Sequence, residues 1–203
     1  MFVQVIQGQV SDPEQVHAAL DRWAHDLGPA APGWLGSTAG VAEDGAFVAL
    51  ARFESVEAAE RNAERPEQSR WWEETSRLFE GDVSFRDSED ITVDLQGDPD
   101  RAGFVQVMQG RVTDADRAKE VMAEMPGEVM AAYRPDVLGS VVIGHPDNEW
   151  TQFIYFTSEA DAREGEKKEP PPEMAKMMEE MAGLGVGETT YFDLTDPWLE
   201  GPG

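Results

Sequence analysis

Two glutamines at matching places are the first candidates for chemistry. Gln4 lies in FVQVIQGQVSD (2–12) and Gln106 in FVQVMQGRVTD (104–114), and eight of these eleven positions are identical. Strand alternation puts Phe2, Gln4, Ile6 and Val10 on one face and Val3 and Val5 on the other. A buried amide needs a hydrogen-bond partner. Gln4 and Gln106 are therefore either bonded to backbone or water, or aimed at a ligand. Arg52 and Tyr155 occupy one equivalent place in two further strands. An arginine there could hold an anionic or enolate oxygen, and a tyrosine could donate a hydrogen bond or shuttle a proton. The alternative is a strand-end side chain that reaches solvent.

Trp71 and Trp72 fall on a helix where Trp71, Thr75 and Leu78 share one stripe and Phe79 lies beside Trp72. Their rings could wall a planar ligand or simply fill a core. The equivalent residues Met177 and Met178 are flexible gap-fillers, so the first site is expected to be flatter and stiffer than the second. His145, in the turn His145-Pro146-Asp147-Asn148, could overhang a cavity mouth as a base. The plainer reading is an ordinary turn residue. His17 is expected at the edge of a buried helix face and His25 in solvent. There is no strand-turn-helix phosphate loop, no serine nucleophile elbow and no metal-spaced carboxylate pair, so no metal or cofactor is expected.

These residues need elements to position them, and the chain supplies the same set twice. After the repeated opening strand, Asp12-Pro13 begins a helix, with aspartate as cap and proline in the first turn. Val16, Leu20, Trp23 and Leu27 then recur at helical spacing. Strands at 34–42 and 46–53 flank the turn Glu43-Asp44-Gly45. Ser55 caps a second helix that Pro66 interrupts, and 83–94 forms a last strand. The second copy reads as strand 104–112, helix 114–125, strands 137–144 and 150–156, broken helix 158–182 and strand 188–194. LGS at 35–37 matches LGS at 138–140, and Phe53-Glu54-Ser55 matches Phe156-Thr157-Ser158.

The order β-α-β-β-α-β is the ferredoxin-like split unit. The expected fold is α+β: one repeat over 1–97, a linker at 98–103, a second repeat over 104–196 and a C-terminal tail at 197–203. A four-stranded sheet covered by helices on one side leaves an apolar face to bury. Packing sheet to sheet, as a pseudo-dimer within one chain, would bury both. The chain is then a monomer or a weak homodimer.

Composition narrows the partners. Sixteen basic residues accompany 41 acidic ones, for a net charge of −25. Such a polyanion is not expected to bind nucleic acid or an anionic membrane. The absence of cysteine excludes disulfides and thiolate chemistry. No apolar run approaches the length of a membrane span, and the N-terminus lacks a secretory pattern. A cytoplasmic protein with a small-molecule ligand is the expectation.

The stretch PGWLGSTAGVAEDGAFVALARFESVEAAERNAERPEQSRWWEE resembles the antibiotic biosynthesis monooxygenase-like group of the dimeric α+β barrel superfamily. The likeness rests on Pro32-Gly33 before the second strand, Phe53-Glu54-Ser55 closing the third, and the helix at 56–65 interrupted by Pro66. It covers both halves, the first better than the second. The resemblance implies a pocket between sheet and helices. Some members oxidise polyketide-type aromatics with oxygen and no cofactor, and others bind and degrade haem. Where many members carry a histidine in helix two this chain has Asn62, and neither repeat has a histidine in its second-helix segments. Haem ligation is therefore not implied. The expected function is a cofactor-independent monooxygenase-like activity on a planar, mostly apolar molecule. Its pocket would draw on Gln4, Arg52, Asn62, Trp71 and Trp72, mirrored by Gln106 and Tyr155. The alternative is a non-catalytic small-molecule-binding or stress-related module of the same fold.

Overall fold

The computed structural model describes residues 1–124 and 127–202. The fold is α+β, with two five-stranded antiparallel sheets and seven helices. The first repeat gives β1 (Phe2–Val10), α1 (Pro13–Asp26), β2 (Trp34–Val41), β3 (Ala46–Phe53), α2 (Val56–Ala63), α3 (Pro66–Thr75), β4 (Phe79–Ser88) and β5 (Ile91–Leu95). The second gives β6 (Phe104–Val112), α4 (Ala115–Ala123), α5 (Gly127–Tyr133), β7 (Val137–Gly144), β8 (Glu149–Phe156), α6 (Glu159–Glu166), α7 (Pro172–Leu184), β9 (Gly185–Leu194) and β10 (Trp198–Glu200). No helix among the described residues is long and apolar enough to cross a membrane.

The helix starts follow the capping signals. Asp12 Oδ1 accepts from the Gln15 amide at 3.1 Å, and Ser55 Oγ from the Ala58 amide at 3.3 Å. The second repeat uses Asp114 and Ser158 in the same way, at 2.9 and 3.1 Å. Each cap satisfies an amide that the first helical turn leaves without a partner. Gly45 takes φ +83° in the hairpin turn, where an added Cβ would meet the Val10 carbonyl oxygen at 2.7 Å. In the second repeat the helix expected at 114–125 ends at Ala123, and α5 follows; residue 125 lies outside the described residues.

Two compact units result, Met1–Ile91 with Asp193–Gly203, and Thr92–Phe192. The first sheet has the order β10-β2-β3-β1-β4 and the second β5-β7-β8-β6-β9. The single strand expected at 83–94 is broken after Ser88, whose Oγ accepts from the Asp90 amide at 3.0 Å. Its second part, β5, joins the edge of the second sheet beside β7. The segment expected to be a tail is likewise ordered: Trp198, Leu199 and Glu200 pair antiparallel with Ala39, Thr38 and Ser37 of β2. Each sheet thus takes its fifth strand from the other repeat.

In the first unit both sheet faces are apolar. Phe2, Phe47, Ala49 and Phe53 point to the helix side, where they pack with Val16, Trp23, Trp34 and Ala58. Val3, Val5, Val48 and Leu50, on the opposite face, are wholly excluded from solvent.

Candidate functional site

The helix side of the first sheet is not filled. A cavity of about 700 Å³ lies between that sheet and the helices α1, α2 and α3. Its floor is Phe2, Gln4 and Ile6 of β1, Ala39 of β2, and Phe47, Ala49, Ala51 and Phe53 of β3. The register places Gln4 opposite Ala51, and Ile6 opposite Ala49. Ala39 in turn pairs with Ala49. Three alanines on one face of a sheet centre leave the volume that larger side chains would occupy.

Aromatic rings wall this space, and hydrogen bonds fix several of them. Trp23 and Trp34 meet edge to face at 5.0 Å, with Trp71 at 6.2 Å from Trp23. Trp72 follows Trp71 at 6.0 Å and meets Phe85 edge to face at 5.1 Å. Trp23 Nε1 donates to Gln68 Oε1 at 2.6 Å, Trp34 Nε1 to Ser37 Oγ at 3.1 Å, and Trp71 Nε1 to the Ala19 carbonyl at 3.0 Å. Indoles locked in this way make a preformed surface for a flat ligand.

Polar groups enter at a few points. Gln4 Nε2 donates to Asp87 Oδ1 at 2.7 Å, across the β1–β4 register that pairs these residues. The half-buried Gln4 amide therefore has its partner in an exposed carboxylate that itself lines the cavity. Asn62 is only 4% exposed and also lines it. Its Oδ1 accepts from Arg65 Nη1 at 3.0 Å, and the same nitrogen donates to the Leu27 carbonyl at 3.2 Å. That tether leaves the Asn62 amide donors for the cavity.

Strand β10 supplies the last wall, with Trp198 and Glu200. Trp198 stacks on His17 at 4.3 Å with the rings 6° from parallel. Burial pushes the Glu200 carboxyl above the ordinary carboxylate range, and the nearby Asp21 charge adds to the rise while His17 opposes it. No histidine lines the cavity among the described residues.

Of the residues singled out from sequence, Gln4, Asn62, Trp71 and Trp72 come together here. Arg52 does not. It pairs with Val3 and Gly36, one residue out of phase with the cavity floor, and so lies on the far face of the sheet. Glycine at position 36 suits it, since a Cβ there would meet Arg52 Nη2 at 2.7 Å. Gln106, Tyr155 and His145 belong to the second unit and do not line this cavity. Gln106 and Tyr155 are 9% and 2% exposed. His145 Nε2 lies 2.9 Å from Thr151 Oγ1, which also accepts from Gln109 Nε2 at 3.1 Å. The alanine floor, Trp23, Trp34, the Phe85–Asp87 edge and the Trp198–Glu200 edge were not anticipated. The alternation Ala49, Ala51, Phe53 was the signal available for the floor.

The second unit differs at the corresponding place. Counting from the matched Phe53 and Phe156, Asn62 corresponds to Gly165. The Arg134 guanidinium lies where a Cβ on Gly165 would be. Arg134 forks onto Asp136, with Nε to Oδ1 at 3.0 Å and Nη2 to Oδ2 at 2.7 Å. It also donates to the Ala162 carbonyl at 3.3 Å and covers the Phe156 ring at 5.4 Å. A shallower cavity of about 380 Å³ lies elsewhere in this unit, against Glu128, Val129, Ala132, Tyr133 and Pro171.

No family model and no curated protein matches the chain. Solved structures do. A provisionally named monooxygenase from Lactobacillus acidophilus is similar over 100% of this chain and 96% of its own, with a TM-score of 0.76 and 14% identity. A second one, from Fusobacterium nucleatum, covers 100% and 94% with a TM-score of 0.78 and 12% identity. An anthrone oxidase-like protein covers 100% and 93% with a TM-score of 0.70 and 13% identity. Likeness of this extent shows the fold, that of the antibiotic biosynthesis monooxygenase-like α+β proteins.

Proposed function

We propose that the first unit binds a planar, mostly apolar small molecule and oxidises it with molecular oxygen, without a bound cofactor. The observation that carries this reading is the preformed aromatic cavity of about 700 Å³, with Asn62 as a buried polar group beside the space. The monooxygenase names of the full-length neighbours support it. In such a reaction the substrate is its own reductant. A ring CH2 loses a proton, the resulting carbanion reduces O2, and the carbon ends as C=O while the second oxygen leaves as water. Apolar walls that displace water from the reacting ring favour the step, because fixed dipoles act more strongly where water is excluded. The Asn62 amide is the donor for the developing oxygen anion, and Trp72 and Trp71 hold the ring system flat. Gln4 and Asp87 form the polar edge where a proton is accepted.

The second reading is a binding module without turnover. It is favoured by a cavity lining free of histidine, lysine, tyrosine and cysteine among the described residues. Oxygen uptake with anthrone as the probe separates the two. Turnover by the intact protein, lost in Trp72→Ala and reduced in Asn62→Ala, is the expected result. Saturable anthrone binding with no uptake above the Trp72→Ala background would leave the module and remove the enzyme.

A further inference from the structure

We propose that the cavity selects a planar organic cation, an aromatic ring system bearing a protonated amine or quaternary ammonium, over neutral and anionic rings of the same shape. This rests on the ligand-binding part of the reading above and adds the charge class of the ligand.

The charged side chains that line the cavity are Asp21, Glu60, Glu73, Asp87 and Glu200, and among the described residues no lysine, arginine or histidine lines it. Some of this acidity is already offset. Glu73 pairs with Arg77 at 3.0 Å, and Asp21 lies 3.3 Å from His17. Asp87 accepts only a neutral amide donor, from Gln4. Glu200 is half-buried and feels the Asp21 charge as well as its own desolvation. The lining thus carries net negative charge that no cation in it balances; Asp21, Glu60, Glu73 and Asp87 are exposed and Glu200 is half-buried, and charges of one sign around a cleft focus its field on what enters.

The walls act in the same direction. Indole faces carry negative potential and attract a cation held over them. Trp23, Trp34, Trp71, Trp72 and Trp198 all line the cavity. A flat cation can stack on these rings while its ammonium group lies against Asp87 on one edge or Glu200 on the other. A flat anion would meet the same carboxylates and the same ring faces as repulsion. The two effects together distinguish ligands that buried area alone would treat alike.

Three isosteric probes test this: 9-(aminomethyl)anthracene, 9-anthracenemethanol and 9-anthracenecarboxylate, a cation, a neutral molecule and an anion at neutral pH. Their binding to the full chain is read from tryptophan fluorescence at an ionic strength of about 0.15 M, where distant surface charges are largely screened. The amine should bind at least about tenfold more tightly than the alcohol, and the carboxylate more weakly still. Asp87→Asn and Glu200→Gln should each reduce the amine-to-alcohol preference by roughly threefold. Glu179→Gln, an exposed charge removed from α7 of the other unit, should change nothing. Equal binding of amine and alcohol would overturn the charge selection and leave a pocket for planar ligands. A preference for the amine that Asp87→Asn and Glu200→Gln leave intact would overturn it also, by tracing it to the charge of the whole chain. Binding of none of the three would remove the ligand reading itself.

Discussion

Trp198→Ala should destabilise the first unit by several kilocalories per mole, although residue 198 lies on a three-residue edge strand. The indole is only 8% exposed. It stacks on His17, sits 6.3 Å from the Phe47 ring, and packs with Val10, Val16, Ala39 and Ala49. A buried tryptophan hides roughly 150–250 Å², which at about 25 cal/mol per Å² gives ~4–6 kcal/mol. The unfolded chain already shields roughly a fifth to a third of that area, so ~3–5 kcal/mol is the working figure. That figure falls within the roughly 3–5 kcal/mol typical of large aromatic truncations in cores. Urea unfolding followed by fluorescence and circular dichroism measures it. A chain ending at Pro197 is the companion variant. It loses the same indole together with the β10 ladder, so it should unfold at a urea concentration no higher than Trp198→Ala. A loss below about 1 kcal/mol in both variants, the level of an ordinary surface substitution, would refute the argument. It would mean that the strand peels away alone and that Trp198 is not part of the cooperative core.

Four further outcomes follow from the same geometry. Ala51→Leu should fill part of the cavity floor and abolish anthracenemethanol binding, with stability in urea changed by less than about 1.5 kcal/mol because the added atoms enter open space. Asn62→Ala should lower anthrone oxidation by roughly 10²-fold, the scale for losing one oxyanion donor, while the far-ultraviolet circular dichroism spectrum is retained. Gly165→Ala should destabilise the second unit by about 1–3 kcal/mol, since its methyl group meets the Arg134 guanidinium that Asp136 and Phe156 hold in place; urea unfolding checks it. For Glu200, a carboxyl raised by burial keeps its proton in the folded state after the unfolded chain has lost its own. Its ionisation therefore lowers stability as pH rises through the window from the ordinary carboxylate range up to the raised value. Glu200→Gln should be more stable than the parent at pH 7 and equal to it in acid below that window, as thermal unfolding at the two pH values would show.

Much of the architecture was legible in the sequence because side chains encode it. The caps Asp12, Ser55, Asp114 and Ser158 fall where the helices begin, and the parity that groups Phe2, Gln4 and Ile6 is the parity of the cavity floor. The exchange of β5 and β10 was not legible. Edge strands join through backbone hydrogen bonds, which all residues but proline offer alike. Arg52 was expected in the pocket for a related reason. Both rows of β3 are apolar, Val48 and Leu50 on one side and Phe47, Ala49, Ala51 and Phe53 on the other, so alternation alone does not say which row meets the helices. Trp71 and Trp72 were found from helical spacing, whereas Trp198 was passed over in a segment read as a tail. The divergence of the two copies was visible at Asn62 and Gly165 only as a difference. That Arg134 occupies the vacated place depends on a loop whose path no periodicity describes.

The last wall of the cavity has a bearing on biosynthesis. A ribosome finishes the first repeat long before it reaches Trp198, and must translate the whole second repeat in between. Until β10 emerges and settles beside β2, the nascent first unit holds an open hydrophobic trough with His17 uncovered. A gene fragment encoding only the first repeat would therefore yield a half-built pocket, whatever the quality of its own fold.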